Sequence, residues 1–485
     1  MRSPFKTVRV LAPRVPRGAA RLRRLVNRFM LVLLLTGTVL LLPTPEALST
    51  EGHRALALFV FTGSILALEP VSLPIAALLV PLVQVGLGIG TSQLAFEPFS
   101  RPVVFLILGS MFLAEGLRKH GLTRRLALAT LLATGGSPPR LLLGMMAISA
   151  VFSMWVHNTA TAAMLIPVAM TIARQVEDPR RSKQLLVQLV LGIAYGCSLG
   201  GMVTVLGSSA NAVAAGFLSQ IRDWSFVDWM KYGGPSFVLL FPLTWWLLLR
   251  IVKVDLETMD LEPVRRRIEE IGGMTREEKE LAATLGVAIV LWVGGGFFED
   301  WLGLPNTLLS AAMVAVLAVG WLSARKVISW EDVQGVSWGI FLIIGAGLSL
   351  GEALMRTGAT DFLATLIVPI IDGPPMIVSL LLLVYVSALL TNAMNNTTIA
   401  AVFTPVLITV AAGIPGSDPV QLVLPVTLAT TFGYSLPSAS GRMALVAASG
   451  IVDRGRMMSV GLIMTLVSSA VLGLLFWALT AAGLV

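Results

Sequence analysis

The chain has 485 residues, 56% of them hydrophobic and only 13% charged, with a mean hydropathy of +0.85 and a formal net charge of +8. Soluble domains carry about a quarter charged residues, so a water-soluble fold is excluded, and no set of alternating segments marks a membrane β-barrel. The single Cys197 permits no intramolecular disulfide, His53, His120 and His157 are too scattered for a metal cluster, and no GxxxxGK[ST] stretch points to ATP-driven pumping within this chain.

In chain order, residues 1–28 hold nine Lys/Arg and no acidic residue, which places this tail in the cytoplasm as a solvated arm attracted to anionic lipid. A first transmembrane helix is expected at about 29–48. GLGIG at 86–90 lacks a strand–turn–helix context and reads as a helix end rather than a nucleotide fingerprint. Further spanning-length apolar blocks follow, among them 281–298, 305–322 and 457–482. The charged stretch 253–279, with RRRIEE and REEKE, reads as a cytoplasmic amphipathic linker. Trp224, Trp229, Trp245 and Trp246 flank or fill one span, as an aromatic belt would.

FLILGSMFLAEGLRKHG (105–121) returns as FLIIGAGLSLGEALMRTG (341–358), which puts Glu115 and Glu352 at equivalent positions near helix ends. HNTATAAMLIP (157–167) returns as NNTTIAAVFTP (395–405). The two intervals agree, 236 residues from Phe105 to Phe341 and 238 from Asn158 to Asn396, so the chain holds two copies of one unit, at about 54–252 and 280–485. Charges around the two polar motifs differ. The first is flanked by Arg118, Lys119, Arg124, Arg125 and Arg140, then by Arg174, Arg180, Arg181 and Lys183. From Thr357 to Gly441 there is no Lys or Arg, only Asp361, Asp372 and Asp418. The first motif therefore enters and leaves from the cytoplasm and the second from outside. The expected fold is an all-α polytopic membrane protein of about eleven transmembrane helices, with a cytoplasmic N-terminus and an outer C-terminus. Its two inverted-topology repeats would each hold a re-entrant hairpin, at about 140–173 and 376–412, and a broken helix.

A single polar motif in hydrocarbon is readily explained as glue between helices. Two in inverted copies bring two tips together near the midplane, where repeat-built transporters hold their substrate. A helix is expected to begin after each tip, at about Ala160 and Thr398, capped by Asn or Thr and with unpaired N–H groups suited to an anion. Two such ends suit a dianion. GGMVTVLGSSANA (200–212) and SLPSASGRMA (435–444) interrupt a second helix in each copy. An ordinary Gly/Pro kink explains either alone, but exposed carbonyls there could also coordinate Na⁺.

On these residues the sequence resembles the divalent-anion/sodium symporter family, the dicarboxylate, citrate and sulfate transporters. The match covers essentially the whole chain after residue 50. The resemblance implies a secondary active transporter, not an enzyme, in the cytoplasmic membrane. It further implies a homodimer in which a transport domain moves like an elevator against a scaffold, with no nucleic-acid partner. It assigns Asn158, Thr159 and Ser208 to one end of the anion, and Asn396, Thr397 and Ser440 or Gly441 to the other. A first sodium site would draw on Ser153, Asn158 and Gly207, a second on Thr391, Asn396 and Ala439. The family's Ser before each Asn-Thr is His157 in one copy and Asn395 in the other, so His157 removes a hydroxyl from the first sodium site. Its Pro-Pro-Asn break reads Ser209-Ala210-Asn211 and then Gly441-Arg442-Met443. Arg442 lies 11 residues before Asp453, ~16 Å along a helix, which is too deep for an interfacial position. It either contacts the substrate, replaces a cation's charge or pairs with a protein carbonyl. Na⁺ symport, anion exchange and proton coupling through His157 stay open, as does an arsenite or other oxyanion permease. A membrane-embedded enzyme using His157 or Arg442 lacks acid–base partners, since no Asp or Glu lies between Glu115 and Glu177.

Overall fold

The computed structural model describes residues 18–258 and 261–485, so most of the basic tail lies outside the described residues. Among the described residues there is no strand. Helix α1 (Gly18–Leu41) stops short of Pro43 and Pro45, which cannot extend it. Helix α2 (Thr50–Leu68) starts from Ser49, whose side chain accepts the Gly52 N–H. Helix α3 (Leu73–Gly86) ends in the GLGIG stretch, where Gly88 and Gly90 take positive φ. Helix α4 (Ser92–Phe96), extended by a 3₁₀ turn to Ser100, bends by 46° into α5 (Pro102–Lys119) at Pro102.

After α6 (Leu122–Thr134) come α7 (Pro138–Trp155) and α8 (Asn158–Ala173), separated only by Val156 and His157. Helices α9 (Pro179–Gly201) and α10 (Ser209–Ile221) are the halves of an interrupted helix, followed by α11 (Phe226–Ile251). The charged segment holds α12 (Glu262–Ile271). Then follow α13 (Arg276–Leu302), α14 (Ala311–Ala324), the single turn α15 (Trp330–Val333), α16 (Gly339–Arg356) and α17 (Ala359–Asp372). Helices α18 (Met376–Ala393) and α19 (Asn396–Ala412) form the second close pair. Helix α20 (Pro419–Ala429), two 3₁₀ turns and α21 (Gly441–Ala448) make the second interrupted helix, and α22 (Arg454–Ala481) closes the chain. The order α5 to α11 is thus repeated, element for element, by α16 to α22.

Seven described helices are long and apolar enough to cross a bilayer alone, eight if the bent α4–α5 pair counts as one span. Of the interrupted helices, α9 is long enough to count among these seven, whereas α10, α20 and α21 are each too short to cross singly. Each broken helix lies against both paired elements. Helix α9 packs along α7 and α8, while α10 packs on α19 of the other copy; α20 packs along α18 and α19, while α21 packs on α8. This exchange of second halves brings all four breaks to one place.

Helix α9 reaches α7 so closely because of its Gly192-xxx-Gly196-xxx-Gly200 stripe. A Cβ on Gly196 would stand 2.7 Å from the Met146 carbonyl, and one on Gly200 would collide with the Ala150 backbone. The aromatic-belt expectation needs correction. Trp229 is fully buried and donates its indole N–H to the Met202 carbonyl at 3.0 Å, and Trp245 donates to Pro139 at 3.0 Å. Both rings tie helices together; for Trp229 the bond is required because a buried indole N–H needs an acceptor, whereas Trp245 is only partly buried. Trp224 and Trp246 instead lie under Arg222 and Arg250, 4.9 and 5.1 Å from the guanidinium carbons.

Gly200→Ala should destabilise the protein by ~1–3 kcal/mol through overpacking. The same change at Gly286 on α13, where a Cβ meets nothing within 4 Å, should be neutral or slightly stabilising. Thermal unfolding of the purified variants, followed by light scattering and intrinsic fluorescence, measures both.

Candidate functional site

The two helix pairs and the two interrupted helices converge on one cavity of about 920 Å³. Its floor carries His157, Asn158 and Thr159 from the first motif, Asn395, Asn396 and Thr397 from the second, Ser208 and Ser209 from the first break, and Ser438 to Arg442 from the second. Direct contact joins the copies. Ser209 Oγ lies 2.5 Å from Thr397 Oγ1, and a Cβ on Gly441 would stand 2.5 Å from Thr159 Oγ1. Ser209 and Gly441 are equivalent positions at the starts of α10 and α21, so the start of each second half touches the opposite motif.

The amide orientation of the two central asparagines is determined by their neighbours. Ser153 donates its hydroxyl to Asn158 Oδ1, and Thr391 shares its one hydroxyl proton between Asn396 Oδ1 at 2.7 Å and the Thr430 carbonyl at 3.1 Å. With each Oδ1 engaged from behind, each Nδ2 is the end left for the cavity that both residues line. Ser153 and Thr391 are fully buried, whereas Asn158 and Asn396 keep 3% and 5% exposure at the cavity floor. A donor-rich floor of amide N–H and hydroxyl groups follows, which suits an anion.

Gly201 and Gly433 make this possible. A Cβ on Gly201 would strike the Asn158 amide, and one on Gly433 would stand 3.3 Å from Asn396 Oδ1 and 2.8 Å from the Ala439 Cβ. The residues expected to hold sodium do come together. Asn158 donates its backbone N–H to the Gly207 carbonyl at 3.3 Å, and a Cβ on Gly207 would stand 2.6 Å from the Ser153 carbonyl. In the second copy a Cβ on Gly433 would stand 2.8 Å from the Ala439 Cβ and 3.3 Å from both Asn396 Oδ1 and the Thr391 carbonyl. Both clusters offer neutral oxygens only, a donor set suited to a small hard cation.

Two expectations about the helix starts are corrected. Helices α8 and α19 begin at Asn158 and Asn396, two residues earlier than expected; α19 is capped by an asparagine, Asn395, as expected, whereas the cap of α8 is His157. The Thr159 N–H donates to His157 Nδ1 at 3.4 Å and the Thr397 N–H to Asn395 Oδ1 at 2.9 Å, while the Ala160 and Thr398 N–H groups reach the cap carbonyls at 3.0 Å. These first N–H groups are therefore already satisfied, and side chains rather than bare backbone present donors to the cavity. His157 also stays out of the first oxygen cluster, its ring serving as a cap on the cavity side. Ser208 caps α10 by accepting the Ala210 N–H at 3.3 Å; Ser440 makes no side-chain cap bond to α21, and its buried hydroxyl has no partner.

Arg442 is 1% exposed and donates Nη2–H to the Thr431 carbonyl at 2.7 Å. Two asparagines had no assigned role in the sequence. Asn211 donates Nδ2–H to the Gly201 and Thr204 carbonyls, both at 2.8 Å, and holds the first break. Asn392 donates to Ala388 at 2.7 Å and accepts the Ser435 N–H at 2.7 Å, holding the second. A buried amide beside a predicted break is the signal for both, since carbonyls freed by a break in low dielectric need donors. Glu352 is drawn away from the site: it accepts from Arg101 at 2.7 Å and Gln220 at 3.1 Å. Glu115 pairs with Arg118 at the cavity rim.

A cavity with a polar floor, built where four broken helical elements meet in a chain of membrane-spanning helices, is the arrangement of a membrane transport protein. Residues 23–482 match the family described as Sodium:sulfate symporter transmembrane region, and the chain belongs to that family. Among its relatives is an "Uncharacterized transporter" of Haemophilus influenzae, 33% identical over 88% of this chain and 92% of that protein. Another is the sodium-dependent dicarboxylate transporter SdcS of Staphylococcus saprophyticus, 27% identical over 90% of this chain and 88% of that protein. In fold, the chain is similar to the YdaH transporter of Alcanivorax borkumensis, with a TM-score of 0.54 and 14% identity over 81% of this chain and 88% of that one.

Replacing Asn211 with Leu leaves the Gly201 and Thr204 carbonyls without their amide donor, at a cost of ~1–3 kcal/mol for each buried group. Asn211→Leu should lower the unfolding midpoint, whereas Asn211→Asp should lower it less near pH 4 than at pH 8, where the ionised carboxylate faces two carbonyls. A pH series of thermal unfolding curves measures this.

Proposed function

We propose that this protein is a secondary active transporter of small divalent anions, of the dicarboxylate, citrate or sulfate class, driven by Na⁺. The observation that carries the reading is the paired fixing of Asn158 and Asn396 by Ser153 and Thr391, with both Nδ2 groups left to one cavity. Two equivalent donor sets facing each other suit a solute with an anionic group at each end. The dependence on sodium stated in the name of SdcS supports the choice of coupling ion.

The same amides provide a coupling device. Each Oδ1 lies in the oxygen cluster behind the cavity, and each Nδ2 belongs to the cavity itself. A cation drawn to Oδ1 polarises the amide and strengthens its N–H as a donor toward the anion. Cation and anion then bind cooperatively, and by linkage each raises the affinity of the other.

The membrane path is part of the proposal. Helix pairs α7–α8 and α18–α19 act as re-entrant hairpins, the first from the cytoplasm and the second from outside. The interrupted helices α9–α10 and α20–α21 each cross once as two halves. With α1, α2, α3, the bent α4–α5, α11, α13, α14, α16 and α22 this makes eleven crossings. The wall facing the site is formed by the ends of α2, α3, α5 and α16, including Glu69, Pro74, Arg118 and Gly339. A site carried on one group of helices and walled by another suits an elevator movement of the first group past the second, in a homodimer. The described position would be the inward-open one, because Arg28 and Arg118 line the cavity on the side that the positive-inside rule assigns to the cytoplasm.

Proteoliposomes containing the protein should accumulate labelled succinate, citrate or sulfate when an inward Na⁺ gradient is imposed and not with K⁺ in its place. Asn158→Ala and Asn396→Ala should each lower initial uptake by about two orders of magnitude while keeping the unfolding midpoint within a few degrees. Uptake by either variant equal to that of the parent would exclude the paired-amide site. Labelling with membrane-impermeant thiol reagents should place cysteines introduced near 372 and 415 on the face opposite to those near 180.

A further inference from the structure

The two copies differ most at Arg442. Its equivalent in the first break is Ala210, which has no group beyond Cβ, and the neighbouring Asn211 is replaced by Met443. At the first break the freed carbonyls of Gly201 and Thr204 are held by the neutral Asn211 amide, and those of Leu199 and Gly200 by backbone N–H groups at 3.3 and 3.1 Å. No charged side chain is involved. At the second break three successive carbonyls end the α20 helix and its 3₁₀ turn, and each is met differently. Thr430 accepts from Thr391 at 3.1 Å, Thr431 from Arg442 at 2.7 Å, and Phe432 from Thr465 at 2.8 Å.

Arg442 is buried among uncharged groups. Tyr195, Tyr434, Cys197 and, across the cavity, His157 are its titratable neighbours, and among the described residues it forms no ion pair with a carboxylate. Its Nε–H is buried without a partner. A buried guanidinium with no counter-charge is unstable unless something negative faces it. Within the protein one group does: the Thr431 carbonyl in the 3₁₀ turn that follows α20; Arg442 also lines the cavity, beside the unpartnered hydroxyl of Ser440, where an anion would face it. The carbonyl it occupies is next in sequence to the one bonded by Thr391, the residue that orients Asn396. Arg442 thus shares a run of carbonyls with Thr391 and lines the same cavity as Asn396 and Ala439 of the second oxygen cluster.

We infer that Arg442 is a tethered cation that permanently fills the electrostatic role of the second sodium site, so that only the first site, at Ser153, Asn158 and Gly207, takes a mobile coupling ion. The inference rests on the anion-transport reading above. It makes the two halves of the site chemically unequal: one end of the dianion is held with an exchangeable cation, the other with a fixed one. Thr391 then orients Asn396 without serving Na⁺, and Ser153 does both.

The test is substrate-dependent thermal stabilisation of the full-length protein in detergent, with succinate, citrate and sulfate each titrated across a Na⁺ series with choline as replacement. In the parent, the apparent anion affinity should rise with Na⁺ with a Hill coefficient of about one. Ser153→Ala should raise the Na⁺ concentration needed for half-effect by about tenfold, whereas Thr391→Val should weaken the anion without moving that concentration. Arg442→Met, similar in length but uncharged, should lower anion affinity at low Na⁺ by about tenfold or more and steepen the Na⁺ dependence toward a coefficient of two. A coefficient near two in the parent, or equal Na⁺ shifts from Ser153→Ala and Thr391→Val, overturns the inference; so does an Arg442→Met protein that matches the parent in both affinity and Na⁺ response. Should Arg442→Met fail to fold, the comparison of Ser153→Ala with Thr391→Val decides alone. A parent stabilised by none of the three anions at any Na⁺ concentration would instead refute the transport reading, a result distinct from all of these.

Discussion

The hydroxyl-to-amide bonds from Ser153 to Asn158 and from Thr391 to Asn396 determine what the centre of this protein can hold. An asparagine amide presents acceptor and donor with nearly equal ease, and its orientation in a cavity is decided by what lies behind it. Here a buried hydroxyl takes the oxygen, so the nitrogen is turned to the cavity, twice and from two parts of the chain 238 residues apart. Turned the other way, the same two residues would line the floor with carbonyl oxygens and favour a cation. The glycines at 201 and 433 complete the constraint, since any side chain there would occupy the space of the amide.

Breaking helices in a low-dielectric interior exposes N–H and C=O groups that must each find a partner. The structure meets this with a small set of neutral devices. His157 and Asn395 cap the starts of α8 and α19, and Ser208 caps α10. Asn211 and Asn392 hold the carbonyls on the other side of the breaks. Only at the second break is a charged group used, and that exception separates two copies that are otherwise alike. The cavity therefore combines near-symmetric geometry with asymmetric electrostatics.

Position also depends on close packing away from the site. The glycine stripe of α9 lets it lie directly against α7, which carries Ser153 near its end, so the register between these helices sets where the Ser153 hydroxyl meets Asn158. The exchange of second halves, α10 onto α19 and α21 onto α8, then fixes the two motifs relative to each other. Ser209 touching Thr397 and Gly441 touching Thr159 are the local expressions of that exchange.

The sequence alone determined the membrane class, because 13% charged residues cannot cover a soluble fold of this length, and it showed two polar motifs that recur at matching intervals. It also identified the residues that form the cavity floor, since polar side chains in long apolar runs are few. It missed the exact helix starts and the role of His157 as a cap, because a cap is defined by backbone geometry rather than residue type alone. Nor could it foresee that Trp229 lies in the core, since an indole reads the same at an interface and beneath one. Which end of each asparagine faces the cavity, and which carbonyl Arg442 reaches, were decided only by tertiary structure. Both depend on groups brought in from other helices, at distances and angles that no spacing along the chain encodes.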